Sequence, residues 1–224
     1  MVCVRSRRLE APRMNELRFF NPYRDIRHTE NRLPHWQQTG AVYFVTFRLA
    51  DAIPSTLRDQ WEKEREAWLK VHPEPWSTET ELEYHKRFSG AMECWLDAGH
   101  GACLLRRRDC ANVVAETLRH FEGERVVMIS SVVMPNHVHA LFVQNPEWPL
   151  EKLIQSWKRF TAREINKLLV RSGSLWQRDY FDRLVRDEKH FANCARYIRR
   201  NPTKARLGEG QFVLYESETT RSVF

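Results

Sequence analysis

Paired thiols are missing from this sequence. Its five cysteines, Cys3, Cys94, Cys103, Cys110 and Cys194, show no CxxC spacing, and an odd number does not close a disulfide framework. A small secreted disulfide scaffold is therefore excluded, and a reducing cytoplasm is the expected setting. Long apolar runs are missing too. A membrane helix needs roughly 18 uninterrupted apolar residues, and even the region from Val126 to Val143 is broken by Asn136, His137 and His139. No membrane partner is expected. The amino end, Met1 to Arg13, carries Arg5, Arg7, Arg8 and Arg13 with no apolar core behind them, so it does not read as a secretory signal and is expected to be mobile. Internal repeats and low-complexity blocks are absent. What remains is an ordinary globular composition, 42% hydrophobic and 29% charged over 224 residues, enough for one domain with an inserted arm. The charge is one-sided, with 36 Lys and Arg against 29 Asp and Glu and a pI near 9.3, which favours a polyanionic partner and nucleic acid first.

Hydrophobic period places the elements. Ala41 to Leu49 is rich in β-branched and aromatic residues and predicts a core strand. Ser55 to Val71 and Thr78 to Leu96 read as exposed helices separated by the proline-bearing His72 to Trp76, an inserted helical pair. A helix N-capped by Asp109 follows, with Val113, Val114, Thr117, Leu118 and Phe121 on its apolar side and Gly123 at its end. Arg125 to Val133 and His137 to Val143 form two strands about the turn Met134, Pro135, Asn136. A long helix runs from Pro149 to about Val170, with Leu153, Trp157, Phe160 and Leu168 on one stripe. Leu175 to Val185 reads as a possible strand, Glu188 to Arg200 as a last helix closed by Pro202, and Phe212 to Tyr215 as an added edge strand. The order predicts an α+β fold: a ferredoxin-like antiparallel sheet with helices on one face, an inserted helical pair at about 55–100 and a last helix toward the C-terminus. The expected division is an N-terminal extension at 1–35, the main domain at 36–207 and a tail at 208–224.

Chemistry concentrates at two places. His137 and His139 stand two apart on a strand and so project from one face, where both imidazoles can approach one ion. By itself His-x-His is weak, since two histidines on a solvated sheet face look the same. Tyr197 and Asn201 supply context, because residues four apart share one face of a helix. If that face meets the histidine strand, Asn201 completes a half-shell of two imidazoles and one oxygen, with Tyr197 beside it as a nucleophile for phosphodiester cleavage. The bland readings are a packed amphipathic tyrosine and an asparagine that caps the helix before Pro202.

The VVMPNHVH strand, the LWQRDYFDRLVRDEKHF segment and the YIRRNPTKARL helix together resemble the REP-associated tyrosine transposases, within the HUH single-tyrosine transposases of insertion sequences. The match runs from about Trp36 to Leu207. The resemblance implies a metal-dependent transposase and endonuclease that cleaves and rejoins single-stranded DNA at palindromic hairpins through a 5′-phosphotyrosine link, leaving a free 3′-hydroxyl. It implies an RRM-like or ferredoxin-like palm with a C-terminal catalytic helix, and Mg2+ or Mn2+, with His137 and His139 matching the histidine ligands, Tyr197 the nucleophile and Asn201 the polar position one turn later. The insertion is longer than that palm requires, and Arg199 and Arg200 replace apolar or aromatic residues of some relatives. Tyr180 is a competing nucleophile, weakened by the lack of a polar partner at i+4.

Between Lys152 and Arg206 the excess of Lys and Arg exceeds that of the whole chain. Lys152, Arg159, Arg163 and Lys167 on one helix stripe, with Arg178, Arg183, Arg186, Arg196, Arg199 and Arg200, are expected to neutralise phosphates of single-stranded or hairpin DNA. Trp176, Tyr180 and Phe181 are expected to stack on unpaired bases. Two readings compete with the enzyme: a catalytically inactive single-stranded nucleic-acid module of the same fold, and a zinc site of His137, His139 and Cys194. Monomer and homodimer are left equally open.

Overall fold

The computed structural model describes residues 12–30, 34–73, 76–221 and 223, so most of the segment expected to be mobile lies outside the described residues. Two strands, β1 (Arg27–Glu30) and β2 (Pro34–Gln37), pair with each other as a separate ribbon. The main sheet has five antiparallel strands, β3 (Val42–Arg48), β4 (Val126–Val133), β5 (His137–Gln144), β6 (Phe181–Leu184) and β7 (Val213–Glu216), in the order β6-β3-β5-β4-β7. Helix α4 (Arg108–Arg119) connects β3 to β4 and α5 (Leu150–Leu168) connects β5 to β6. Without β7, this is the βαββαβ succession of the ferredoxin-like plan. The tail adds its edge strand beside β4 as expected, and the uncertain Leu175 to Val185 stretch yields β6 at the other edge.

Strand alternation explains why the central strands are so apolar. Tyr43, Val45 and Phe47 of β3 and Val138, Ala140 and Phe142 of β5 join one core, with Val114 and Leu118 of α4 and Leu153, Ile154, Trp157 and Ile165 of α5. Val42 and Phe44 of β3 and Leu141 of β5 point the other way, into a second core with Phe191, Cys194, Ala195 and Ile198 of α6 (Glu188–Lys204). Helices thus cover both faces rather than one, which is why β3 and β4 read as nearly continuous hydrophobic runs. Each fully buried aliphatic side chain contributes about 1.5–3 kcal/mol to holding α6 on its face. In β4 a bulge between Met128 and Ser130 inserts a residue, so that Met128 faces the first core while Ile129 and Val132 face the second.

Several expectations at element ends are corrected. Helix α4 begins at Arg108, and Asp109 sits in its first turn rather than at the cap, where its carboxylate takes the Arg107 guanidinium at 2.6 Å. In α5 the buried stripe passes through Ile154, Thr161 and Ile165, whereas Phe160 and Leu168 are each 44% exposed. Pro202 does not close α6, which runs on to Lys204. Pro202 has no N–H to give the Ile198 carbonyl, so α6 forgoes that one bond, but the fixed φ of proline suits the helix and the turn continues. Asn201 is consequently inside the helix and is not its cap. The extension before residue 36 is not separate either, since Leu17 is buried in the second core, with Met14 and Phe19 against it.

The insertion consists of α1 (Ser55–Val71), α2 (Thr78–Tyr84), a π-helical segment at His85–Ser89 and α3 (Gly90–Asp97). It has its own aromatic cluster, in which Trp68 stacks on His72 at 4.1 Å and packs edge-on against Phe88 at 5.8 Å. Its neck is tight. The Ala102 N–H donates to Asp51 Oδ2 at 2.8 Å, and a Cβ on Gly101 (φ +83°) would lie 2.4 Å from the Asp51 carbonyl oxygen. Only glycine fits there.

Candidate active site

The odd-numbered positions of β5 place His137 and His139 on the α6 face, both almost fully buried. Two neighbours fix their rings. The Asn136 amide nitrogen donates to the carbonyls of Leu96 (3.2 Å) and His100 (3.3 Å), which turns its Oδ1 toward His137 Nδ1 at 2.8 Å. An amide oxygen only accepts, so Nδ1 carries the proton and Nε2 is left as a lone pair. That Nε2 is buried with no hydrogen-bond partner. His139 Nδ1 meets the Thr46 hydroxyl at 2.7 Å, across the β3–β5 pairing. Its Nε2 faces the Asn201 amide nitrogen at a long 3.4 Å, and Asn201 Oδ1 is a second buried polar atom without a partner. Burial pushes the His137 imidazolium down to about 3, and burial followed by the His137 charge holds His139 well below its ordinary value. Both rings are neutral at neutral pH, the state that donates a lone pair.

Asn201 arrives there by helix period. Phe191, Cys194, Ala195 and Ile198 form the buried stripe of α6, and the next position on that stripe is 201. Tyr197 lies one turn earlier. Its ring meets His139 edge-on at 5.0 Å and Phe44 edge-on at 5.9 Å, while Phe44 stacks on the His139 imidazole at 5.6 Å. Burial, then the charges of Glu93 and Asp97, raise the Tyr197 phenol well above its ordinary value, so it is protonated in this state. In front of it opens a cleft of about 380 Å³ lined by Glu93, Asn193, Arg196, Tyr197, Arg200, Asn201 and Lys204. Two imidazole nitrogens and one amide oxygen, buried and underused, suit a divalent cation of borderline character that keeps further positions for water or phosphate oxygen.

Of the expected phosphate contacts, Arg196 and Arg200 line the cleft, and Arg183 stands on the same sheet face, cross-strand from Phe44. Arg199 is instead clamped by Glu216 of β7 through two bonds of 2.7 and 2.9 Å, a tie between helix and tail. Lys152, Arg159, Arg163 and Lys167 are exposed on α5, which covers the opposite face, and Arg178 is exposed in the loop beyond it. Arg186 is exposed just ahead of α6, and Phe181 is half-buried on β6. Trp176 and Tyr180 are corrected outright: both are buried in the first core, where no base reaches them. Trp176 packs edge-on against Phe47 at 4.8 Å and donates its indole N–H to Thr161 at 2.8 Å. Burial raises the Tyr180 phenol, and its place on the far side of the sheet removes it as a rival nucleophile. Cys194 belongs to the second core with its thiol pushed up to about 11, and no group of three His, Cys, Asp or Glu among the described residues could hold zinc.

Residues that the pattern left unmarked complete the site. Asn136 and Thr46 orient the imidazoles. Arg48 pairs with His137 across β3 and β5 with its Nε buried and unpartnered, and burial lowers it to about 10. A charged residue at the end of an apolar strand was the available signal.

Residues 105–201 match the family described as Transposase IS200 like, a span that contains His137, His139, Tyr197 and Asn201. A Haemophilus influenzae protein assigned as a REP-associated tyrosine transposase is 29% identical over 99 residues, 40% of this chain and 54% of that protein. The match therefore spans about half the length of that curated relative. Among solved structures, a REP-associated tyrosine transposase bound to a REP hairpin aligns over 79% of this chain and 73% of its own, at 15% identity and a TM-score of 0.41. A Deinococcus radiodurans protein assigned as a transposase aligns over 83% and 98%, at 13% identity and a TM-score of 0.29. Over the matched span the chain is similar to IS200-like transposases. The more particular resemblance, to the REP-associated tyrosine transposases, holds in the curated relative as it does in the motifs. No helix among the described residues is long and apolar enough to cross a membrane.

Proposed function

We propose that this chain is a divalent-metal-dependent DNA strand transferase that cuts single-stranded DNA at palindromic hairpins with Tyr197 as nucleophile. The observation that carries the reading is the meeting of three partly or wholly unengaged buried lone-pair atoms, His137 Nε2, His139 Nε2 and Asn201 Oδ1, beside the Tyr197 ring, which lies one turn before Asn201 and 5.0 Å from the His139 ring. Asn136 holds the His137 lone pair inward and Thr46 positions the His139 ring. Arg196 and Arg200 at the cleft would hold phosphates on either side of the scissile one. In the reaction the phenol gives up its proton, an Oη–P bond forms, the P–O3′ bond breaks, and the departing 3′ oxygen takes a proton. A phosphodiester is exchanged for a phosphotyrosine, so the reverse attack by a 3′-hydroxyl rejoins the strand. A divalent ion on the three donors would withdraw charge from a non-bridging oxygen and offset the burial that keeps the phenol protonated. REP hairpins are the substrate suggested by the resemblance.

The test uses 5′- and 3′-labelled hairpin oligonucleotides with Mn2+ or Mg2+ on denaturing gels, wild type beside Tyr197→Phe. A metal-dependent covalent adduct with the downstream fragment is expected for wild type, and Tyr197→Phe should bind DNA without forming it. An adduct that survives Tyr197→Phe refutes the assignment, and tight binding with no adduct under any divalent ion leaves a binding module.

A further inference from the structure

Strand cleavage leaves the inserted helix α3 without a task, yet α3 lies against the site at several points. Met92 Sδ meets Arg48 Nη1 at 3.3 Å, the Leu96 carbonyl orients Asn136, and Glu93 lines the cleft. The shortest contact is ionic: Lys204 Nζ lies 2.8 Å from Asp97 and 3.8 Å from Glu93. Lys204 ends a row. Arg196, Arg200 and Lys204 are spaced four apart on α6, about 6 Å of rise per step, and each stands one residue from the side that carries Tyr197 and Asn201. The lysine Nζ is 5.9 Å from the Tyr197 ring centroid and its side chain is 47% exposed.

We propose that Lys204 is a phosphate-binding residue of the cleft, and that Asp97 and Glu93 hold its ammonium where a DNA phosphate will sit, so that the insertion screens the cleft until a strand displaces it. The nature of the ligand rests on the strand-cleavage reading. The charge distribution supports the exchange. Residues 55–97 hold six Lys and Arg against ten Asp and Glu in a chain of net charge +7, so the insertion is an acidic lip on a basic body. The lysine is half-exposed and Asp97 is 14% exposed, so the pair is open to solvent on the lysine side only and is worth on the order of 1 kcal/mol, and trading a carboxylate for a phosphate breaks one charge contact and makes another.

A structural tie and a place-holder predict different signs. The experiment measures binding of fluorescein-labelled oligothymidylate by anisotropy across a salt series, in a Tyr197→Phe background where no strand is cut. Lys204→Met should weaken binding and reduce the slope of log affinity against log salt by about 0.7, one phosphate contact on a single strand. Lys204→Arg should keep the slope. Asp97→Asn should tighten binding roughly two- to fivefold, the range of such an ion pair that no longer has to be broken, and that gain should vanish in the double variant with Lys204→Met. Urea melts of each variant confirm that the folded protein is compared. If Asp97→Asn weakens binding or leaves it unchanged, the pair is only an anchor and the proposal is overturned. The covalent adduct is scored separately. Opposite signs without an adduct would sink cleavage and keep the lysine, and an adduct with equal signs would do the reverse.

Discussion

Two buried asparagines in this protein should respond to the same substitution with opposite signs. Asn136 and Asn201 are each 1% exposed. Every polar atom of the Asn136 side chain is used, by two carbonyls and one imidazole N–H. Asn201 Oδ1 has no partner within hydrogen-bond distance, and the amide makes only loose approaches, to His139 Nε2 at 3.4 Å and to His137 and the Tyr197 phenol. An orphaned buried polar atom costs about 1–3 kcal/mol, whereas its removal with the partner's needs met costs nearly nothing. Asn201→Leu should therefore stabilise the metal-free protein by about 1–2 kcal/mol, after allowance for the donor lost by His139. For a chain of this size that is a rise in Tm of about 3–6 °C. Asn136→Leu strands the His137 N–H and takes one donor from the Leu96 and His100 carbonyls, which keep the Gly99 N–H and the Cys103 thiol, and should cost about 1–3 kcal/mol. Thermal unfolding followed by circular dichroism in a chelator reads both. Adding Mn2+ at about a hundred times its dissociation constant should stabilise wild type by about 2.7 kcal/mol, and a tenfold loss of affinity in Asn201→Leu removes about half of that. Should Asn201→Leu lose as much stability as Asn136→Leu while the Mn2+ shift stays at the wild-type size, the amide oxygen is not a ligand and the reasoning fails.

Acid should unfold the protein early. Because His137 is held at about 3 when folded, against about 6.5 when unfolded, the unfolded chain binds more protons in that interval. Stability is complete above 6.5 and falls as pH drops toward 3. At pH 5 His137 alone removes about 2 kcal/mol, with His139 acting in the same direction, and urea midpoints that stay flat from pH 7 to 5 would contradict it. Gly101→Ala, with a Cβ 2.4 Å from the Asp51 oxygen at φ +83°, should cost about 2 kcal/mol and expose the insertion's neck to limited proteolysis; an unchanged digest would count against the tight neck. Trp176→Ala should cost about 3–5 kcal/mol while leaving the salt slope of DNA binding unchanged under folding conditions. A lowered slope would return the indole to the DNA surface.

The sequence showed its local periods clearly and its tertiary partners poorly. A period of two put His137 and His139 on one face, and a period of 3.6 put Tyr197 and Asn201 on one face, because both follow from backbone geometry alone. That the two faces meet was a conditional expectation, and the buried stripe Phe191, Cys194, Ile198 that leads to Asn201 is what brings them together. Whether an aromatic near a basic segment stacks on DNA or fills the core depends on which sheet face its loop crosses, so Trp176 and Tyr180 were misplaced. Arg199 and Arg200 are neighbours in sequence but diverge on the helix, and only β7 reveals that Glu216 claims one of them. Asn136 read as a turn residue because its imidazole-orienting role depends on carbonyls at Leu96 and His100, beyond any local window.

Along β5, even-numbered residues hold the sheet to α4 and α5, while the odd-numbered face carries both the imidazoles and Leu141, so the site shares its face with the core that seats α6. Only the even-numbered face is independent of the site. A chain changed at Tyr197 alone keeps both cores and still presents Arg196 and Arg200 at the cleft, whereas a change at His137 or His139 reaches the packing beneath α6 as well.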